Sequence, residues 1–221
     1  MDTVSNNPNM LEIAEIFHSI QGESTRAGLP CTFVRLAGCN LDCLWCDTKH
    51  AGGGRWTLDA VLKKVARFGC NLVEITGGEP LLQPSCPELA QRLLDGGYTV
   101  LLETNGSLPI DTMPEGVVRI VDMKCPGSGM TDRMHWPNIG MLNPVRDEVK
   151  FVVAGRGDYE WCRDIVRQYA LDKCCAAILI SPVWGSVSLA SLAKWMLEDR
   201  LPVRFQLQMH KLIWGPDATG V

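Results

Sequence analysis

The amino-acid sequence predicts an α/β protein built as a partial, open (β/α) barrel, and three observations support this. Apolar runs of strand length alternate with segments of helical periodicity along most of the chain. Several runs are continuous in Val, Ile and Leu, which is typical of parallel strands that are covered on both faces. The length of 221 residues is short for a closed eight-fold barrel, which typically needs about 250 residues.

Eight segments have the composition of β-strands, and four have the apolar spacing of helices. The predicted strands are residues 11–17, 32–36, 72–76, 98–103, 118–123, 149–153, 177–180 and 203–208. The predicted helices are residues 58–68, 87–94, 158–169 and 189–199. Thr57 is placed to cap the first helix, and the glycines at 96 and 97 end the second. This alternation implies parallel strands joined by right-handed crossovers.

The whole chain, residues 1–221, is predicted to form a single domain. Residues 1–10 are predicted to be a flexible N-terminal extension. Residues 125–147, rich in Pro, Gly and Met, are predicted to be an irregular insertion. Long irregular segments inside compact domains often have a function.

The composition favours a cytoplasmic protein that binds neither nucleic acid nor a membrane. The formal net charge of −4 argues against broad nucleic-acid binding, which needs a basic face. The N-terminus lacks the basic and apolar regions of a signal peptide. The uncharged segment 174–193 is interrupted by Ser, Pro and Gly, so a membrane span is not expected. In this setting ten cysteines indicate metal binding or catalysis rather than disulfides.

Cys39, Cys43 and Cys46 form the most informative motif, with the spacing Cys-x3-Cys-x2-Cys. A [4Fe–4S] cluster normally takes four cysteine thiolates, so a loop that carries three leaves one iron open to another ligand. A zinc site completed by His50 is the alternative, although zinc ligands usually come as separated pairs. The contiguous triplet therefore favours an iron–sulfur cluster with an open iron.

Five polar segments follow predicted strands and are expected to share one cleft, because sites gather at the carboxyl ends of parallel strands. They are the cysteine loop, Thr-Gly-Gly-Glu-Pro at 76–80, Glu-Thr-Asn-Gly at 103–106, Asp-Met-Lys at 122–124 and Gln-Leu-Gln-Met-His-Lys at 206–211. The glycines at 77 and 78 allow the backbone to approach a ligand closely.

The cysteine triplet followed about thirty residues later by Gly-Gly-Glu-Pro is similar to the radical S-adenosylmethionine (SAM) enzymes. Four further segments resemble the 7-carboxy-7-deazaguanine synthase family: Phe-His-Ser-Ile-Gln-Gly-Glu at 17–23, Phe-Val-Arg-Leu-Ala-Gly-Cys at 33–39, Cys-Asp-Thr at 46–48 and His-Lys at 210–211. The resemblance implies a barrel of the radical SAM type. It also implies a lyase that converts 6-carboxy-5,6,7,8-tetrahydropterin to 7-carboxy-7-deazaguanine with loss of ammonia, in queuosine and deazapurine biosynthesis.

The resemblance implies three cofactors and a set of site residues. Cys39, Cys43 and Cys46 would bind a [4Fe–4S] cluster, and Thr48 would bind Mg²⁺. The implied SAM-binding residues are Trp45, Cys46, Asp47, Gly78, Glu79, Asp122, Met123, Lys124, Ser181 and Trp184. The implied substrate-binding residues are Ile20, Gln21, Gly22, Glu23, Arg35, Thr76, His210 and Pro216, with Arg35 on the substrate carboxylate. No side chain is assigned as an acid or base.

The resemblance further implies an electron donor such as a flavodoxin, and a homodimer. Some family members end shortly after the His-Lys pair and place their terminal carboxylate on the substrate. This chain continues beyond Pro216, which puts that role in doubt. The alternatives are another small radical SAM enzyme, such as a glycyl-radical activase, and a non-enzymatic iron–sulfur electron carrier.

Overall fold

The computed structural model describes residues 9–46 and 52–221, which contain nine strands, six α-helices and four short 3-10 helices. The strands are β1 (Met10–Ile20), β2 (Pro30–Leu36), β3 (Gly54–Thr57), β4 (Leu72–Gly77), β5 (Thr99–Thr104), β6 (Val118–Asp122), β7 (Glu148–Val153), β8 (Ala177–Pro182) and β9 (Arg204–Phe205). The α-helices are α1 (Leu58–Ala66), α2 (Cys86–Asp95), α3 (Arg156–Gln168), α4 (Leu171–Cys174), α5 (Leu189–Asp199) and α6 (Met209–Trp214). The 3-10 helices are Pro80–Leu82, Pro126–Ser128, Thr131–Arg133 and Trp136–Met141.

All nine strands form one sheet in the order β3-β1-β2-β4-β5-β6-β7-β8-β9. In this order, each strand from β2 through β4 to β9 is parallel to the next one. Strand β1 is antiparallel to both of its neighbours, β2 and β3. Among the described residues, β3 and β9 are the two edges and do not pair with each other. The predicted partial, open (β/α) barrel is therefore confirmed.

The outer face of the sheet is apolar and is covered by helices. Val34 and Leu36 of β2, with Val73 and Ile75 of β4, belong to a buried cluster that also includes apolar residues of α1 and α2. A second buried cluster joins β7 and β8 to α3 and α5. The predicted cap is present, because the Thr57 hydroxyl accepts a hydrogen bond from Ala60 N at 3.2 Å.

The inner face, opposite the helices, changes character along each strand. Near the amino ends of the strands it carries a buried apolar layer that includes Phe33, Leu101 and Ile120. Two residues further along the same strands it carries Arg35, Glu103 and Asp122, and all three line a cleft. Because side chains alternate between the two faces of a strand, the residues between them lie on the outer, helix-covered face.

The C-terminal part of the chain differs from the prediction. Residues 203–208 are predicted to form the last strand, with the polar segment 206–211 at its end, but β9 has two residues and His210 lies on α6. The chain leaves the sheet because its polar groups find partners on the turn after β1. Gln206 Nε2 donates to Ser24 O at 2.9 Å, and Met209 N donates to Gly22 O at 2.9 Å.

Two other regions add detail that the sequence patterns missed. Strand β3 was not predicted, and Met10, which was assigned to the N-terminal extension, already belongs to β1. Residues 126–141 contain three of the 3-10 helices, and the Asn138 side chain attaches them to the rest of the fold by donating to Leu108 O at 2.9 Å. No helix in the described ranges is both long and apolar enough to cross a membrane.

Candidate active site

A cleft of about 690 Å³ opens on the inner face of the sheet. Its walls are the carboxyl ends of the parallel strands, the cysteine loop, the turn after β1 and the C-terminal segment. Sixteen of the predicted site residues line it: Ile20, Gln21, Gly22, Glu23, Arg35, Cys39, Cys43, Trp45, Cys46, Thr76, Gly78, Asp122, Lys124, Trp184, His210 and Pro216. Residues from distant parts of the sequence therefore meet at one site.

Five predicted residues are not placed on the wall of this cleft. Glu79, Met123 and Ser181 are buried but do not line it. Asp47 and Thr48 lie outside the residues that the structure describes.

The cysteine loop is held by backbone contacts on both sides. On one side, Leu44 N donates to Ser128 O at 3.2 Å. Within the loop, Cys46 N donates to Cys43 O at 3.1 Å. The ring of Trp45 lies against Gly127, where an added Cβ would come within 2.9 Å of it. The 3-10 helix Pro126–Ser128 thus supports the loop from one side.

The Gly-Gly-Glu segment meets the cysteine loop from the other side. Glu79 N donates to Gly38 O at 2.9 Å. A Cβ on Gly78 would clash with this same carbonyl and would lie 2.8 Å from the Cβ of Cys39. Glycine at position 78 is therefore needed for the end of β4 to pack directly on the cysteine loop.

The Glu79 carboxylate links β4 to β5 instead of facing the cleft. It accepts hydrogen bonds from Leu81 N at 3.0 Å, Thr104 Oγ1 at 2.9 Å and Asn105 N at 2.7 Å. Burial raises the pKa of Glu79, and these hydrogen bonds oppose that shift. The side chain thereby fixes the relative position of two strand ends.

Lys124 and Asp122 form an ion pair at the end of β6. Lys124 Nζ donates to Asp122 Oδ2 at 2.7 Å. Burial disfavours the ammonium ion, but Asp122 outweighs this effect and raises the pKa of Lys124. Within the described part of the chain, the second oxygen, Asp122 Oδ1, is buried and accepts no hydrogen bond. Its capacity to accept a hydrogen bond is therefore not used by the described residues.

A charged cluster made of Gln21, Glu23, Glu74, Glu103 and Lys150 lies in the same cleft. Lys150 Nζ donates to Glu103 Oε1 at 2.8 Å and also pairs with Glu23. Gln21 Nε2 donates to Glu74. The cluster contains three carboxyl groups but only one cation, so it is rich in hydrogen-bond acceptors.

The protonation of this cluster follows from its burial and charge balance. Burial disfavours the Lys150 ammonium ion, but Glu103 and Glu23 raise the pKa of Lys150 well above its usual value. Burial, with repulsion from Glu103, raises the pKa of Glu74 well above the normal range. Burial acts in the same direction on Glu103, but Lys150 outweighs it and lowers the pKa of Glu103. Neighbouring carboxyl groups therefore differ in their affinity for a proton.

Comparison with known proteins identifies the family. Residues 33–125 match the family model of the radical SAM superfamily. The chain is 47% identical over 216 residues to the 7-carboxy-7-deazaguanine synthase of Chlorobaculum tepidum, covering 96% of this chain and 97% of that one. It is 42% identical to the synthase of Koribacter versatilis, covering 96% and 100% of the two chains. The chain belongs to the 7-carboxy-7-deazaguanine synthase family. The resemblance inferred from the motifs is confirmed.

A solved structure supports the same fold. The crystal structure of QueE from Escherichia coli superposes with a TM-score of 0.68 at 23% sequence identity, covering 91% of this chain and 95% of that one. Membership in the 7-carboxy-7-deazaguanine synthase family makes the chain a radical SAM lyase, and the superfamily implies a [4Fe–4S] cluster and SAM as cofactors.

The cysteine loop of this family member fits such a cluster. Cys39, Cys43 and Cys46 form no disulfide and line the cleft, and none of them is buried. Cys39 Sγ already accepts weak hydrogen bonds from Leu41 N at 3.5 Å and from Asn105 Nδ2 at 3.6 Å. Donors of this kind stabilise the negative charge of cluster sulfurs and tune the reduction potential.

Several cleft residues of this family member were not predicted as site residues. The sequence places Glu103 and Asn105 in the polar segment 103–106 at a strand end, but it assigns neither of them a role in binding. Glu74 and Lys150 lie inside runs that the sequence predicts to be strands, so no local pattern marks them. Their inward position follows from strand alternation once the face of a neighbour such as Arg35 is known.

Proposed function

We propose that this enzyme converts 6-carboxy-5,6,7,8-tetrahydropterin to 7-carboxy-7-deazaguanine with loss of ammonia, in the biosynthesis of queuosine and related deazapurines. The observation that carries the proposal is that the cysteine loop and the charged cluster open into the same cleft. A site for one-electron chemistry thus adjoins a site rich in acceptors for a polar heterocycle. The family relation supports the same reaction.

At the cysteine end, Cys39, Cys43 and Cys46 would hold the cluster. When bound, the cluster and SAM supply the one-electron chemistry that removes a hydrogen atom from the substrate. Lys124 carries a positive charge in the cleft and suits the carboxylate of SAM, while Asp122 Oδ1 suits a donor of SAM. Further contacts with SAM are proposed for Trp45, Gly78 and Trp184, which line the cleft, and for Asp47. Glu79, Met123 and Ser181 lie behind the cleft wall, so their contribution would be to hold the strand ends that carry the site.

At the other end, the charged cluster would bind the pterin ring. The amino group and ring N–H groups of a pterin are donors, and Glu74, Glu103 and Gln21 offer acceptors in a largely buried setting. Arg35 would bind the substrate carboxylate, a task that suits a guanidinium group. Further contacts are assigned to Ile20, Gly22, Glu23, Thr76, His210 and Pro216.

The remaining assignments rest on the family resemblance. Thr48 would bind a Mg²⁺ ion that also contacts the substrate carboxylate. A single protein ligand is consistent with this role, because bound Mg²⁺ usually keeps several waters and takes few ligands from the protein. We propose a single radical SAM domain, a cytoplasmic homodimer and a flavodoxin-like electron donor.

The proposal is tested by anaerobic reconstitution with iron and sulfide, followed by incubation with dithionite, SAM, Mg²⁺ and 6-carboxytetrahydropterin. Mass spectrometry is expected to detect 7-carboxy-7-deazaguanine, and Cys43→Ala is expected to abolish both the product and the visible absorption of the cluster. Formation of 5′-deoxyadenosine without the deazaguanine would retain the radical SAM class and reject this substrate. Full activity of Cys43→Ala would reject the cluster assignment.

A further inference from the structure

Strand β1 contains an irregularity that changes which of its side chains face the cleft. In its antiparallel pairing with β2, Ile13 lies opposite Leu36, yet Glu15 lies opposite Arg35. One extra residue, Ala14, is therefore inserted on β1, which is a β-bulge. Bulges are frequent next to active sites, where they redirect a side chain.

The bulge places an acid beside Arg35. In a regular ladder Ala14 would lie opposite Arg35, and Glu15 would lie opposite Val34. Cross-strand partners share a face, and Val34 is fully buried in the outer apolar cluster. Because of the bulge, both Ala14 and Glu15 line the cleft instead.

Glu15 holds Arg35 by one edge of its guanidinium group. Arg35 Nε donates to Glu15 Oε1 at 2.7 Å. The guanidinium carbon lies 5.9 Å from the centre of the Phe17 ring, a distance at which a cation–π contact contributes. These two contacts, both made by residues of β1, orient the Arg35 side chain.

The other edge of Arg35 is available to a ligand. Within the described residues, the two Nη groups donate no hydrogen bond, whereas Lys124 is paired with Asp122 and Lys150 with Glu103. Arg35 thus has two parallel donors left for an anion, in the arrangement that a carboxylate accepts. The side chain is 24% exposed, so the cleft gives access to these donors.

We propose that Glu15 is a positioning residue that sets the preference for a carboxylated substrate by orienting Arg35. This rests on the proposed function, in which Arg35 binds the substrate carboxylate. An arginine that is ordered before binding loses less conformational entropy when the ligand arrives. Glu15 thereby determines how well the Nη edge matches a carboxylate, without contacting the rest of the heterocycle.

The test is a double-mutant cycle measured by steady-state kinetics. Glu15→Ala is expected to raise the KM for 6-carboxytetrahydropterin about tenfold, the effect of one charge-assisted hydrogen bond, with little change in kcat. Glu15→Gln keeps an acceptor for Nε and is expected to recover most of the affinity. In an Arg35→Ala background, Glu15→Ala is expected to cause no further increase in KM, because the residue acts through Arg35.

Two controls separate this role from a structural one. Glu12 lies on the same strand and pairs with Arg55 at 3.6 Å, but it does not line the cleft, so Glu12→Ala is expected to leave KM unchanged. Tetrahydropterin without the carboxylate serves as an inhibitor, and its Ki is expected to be the same in wild type and Glu15→Ala.

The possible failures are distinguishable. Additive effects of Glu15→Ala and Arg35→Ala, or an equal loss of affinity for the two pterins, would overturn the positioning role. A wild-type enzyme that forms no deazaguanine would instead overturn the proposed function. If Glu15→Ala does not fold, as judged by circular dichroism, Glu15→Gln and Glu15→Asp take its place in the cycle, and additivity with Arg35→Ala would again reject the role.

Discussion

The two ends of the cleft are built in different ways. The cysteine end is made of consecutive residues and is fixed by backbone contacts, such as the hydrogen bond from Glu79 N to Gly38 O. The charged cluster is made of side chains from β4, β5, β7 and the turn after β1, joined by ion pairs and side-chain hydrogen bonds. One end therefore depends on backbone geometry, and the other depends on charge balance.

Substitutions at the two ends should therefore have different consequences: at one end for cofactor binding, and at the other for the stability of the fold. Removing a cysteine deprives the cofactor of a ligand but leaves no buried charge behind, since Cys46 is exposed. Removing the one cation of the charged cluster, Lys150, leaves its carboxylate partners unpaired in a poorly hydrated site, which costs folding free energy. Stability measurements and iron content should thus respond to different residues.

The largest effect on stability is expected for Lys150→Met. The change retains most of the side-chain volume but leaves Glu103 and Glu23 without their cation. Breaking a buried ion pair typically costs 3–5 kcal/mol, and we expect about 3 kcal/mol because Glu103 is 27% exposed. Denaturant unfolding of the apo protein measures it.

Two matched variants complete that experiment. Lys63→Met removes a cation from an exposed position on α1 and is expected to change stability by less than about 0.5 kcal/mol. Cys46→Ser should be equally mild in the apo protein while abolishing iron binding. If Lys150→Met unfolds at the same denaturant concentration as wild type, the charged cluster does not stabilise the fold.

An intermediate effect is expected for Gly78→Ala at the cysteine end. The added Cβ would clash with Gly38 O and with Cys39, and overpacking of this kind costs about 1–3 kcal/mol. Because the displaced segment is the cysteine loop itself, most of the iron bound after reconstitution should also be lost. Gly140→Ala is the control, since nothing lies within 4 Å of a Cβ at that position. Normal iron content in Gly78→Ala would show that the loop does not need this contact.

The sequence predicted the cysteine end far better than the charged cluster, and the reason is the range of the interactions. The cysteine spacing and the Gly-Gly-Glu segment are local patterns. Helix α5 has the predicted bounds, 189–199, and the structure adds that the Ser188 hydroxyl caps it by accepting from Ser191 N. Lys150 sits in β7, where it is followed by three apolar residues, and no local pattern distinguishes it. Glu103 can be identified as the partner of Lys150 only when the order of the strands in the sheet is known. No local sequence pattern gives that order.

The end of the chain shows the same limit. Residues 203–208 have the composition of a strand, yet only Arg204–Phe205 pair with β8. The rest of this segment is drawn to the turn after β1, where Gln208 Nε2 donates to Glu23 Oε1 at 2.6 Å and His210 packs against Gly22. Those contacts are made between residues far apart in the sequence, so the tertiary structure overrides the local preference. The predicted substrate-binding position of His210 nevertheless remains on the cleft wall.

The smallest effect is expected for Glu74→Gln, and it should be stabilising. Burial, together with repulsion from Glu103, raises the pKa of Glu74 well above that of the unfolded chain, so the folded state binds more protons. The resulting penalty is absent below about pH 4, where the carboxyl is protonated in both states, and grows as the pH rises. A neutral amide avoids this penalty and keeps an acceptor for Gln21.

We therefore expect Glu74→Gln to raise Tm at pH 8 by about 2–4 °C, the shift that each kcal/mol produces in a protein of this size. The difference from wild type should shrink as the pH falls toward 4. The exposed residue Glu115 provides the control, because Glu115→Gln removes the same charge without relieving burial and should leave Tm nearly constant. A Tm gain for Glu74→Gln that is equal at pH 4 and pH 8 would show that ionisation of the Glu74 carboxyl does not destabilise the fold. The contrast between the two ends of the cleft would then rest on Lys150 alone.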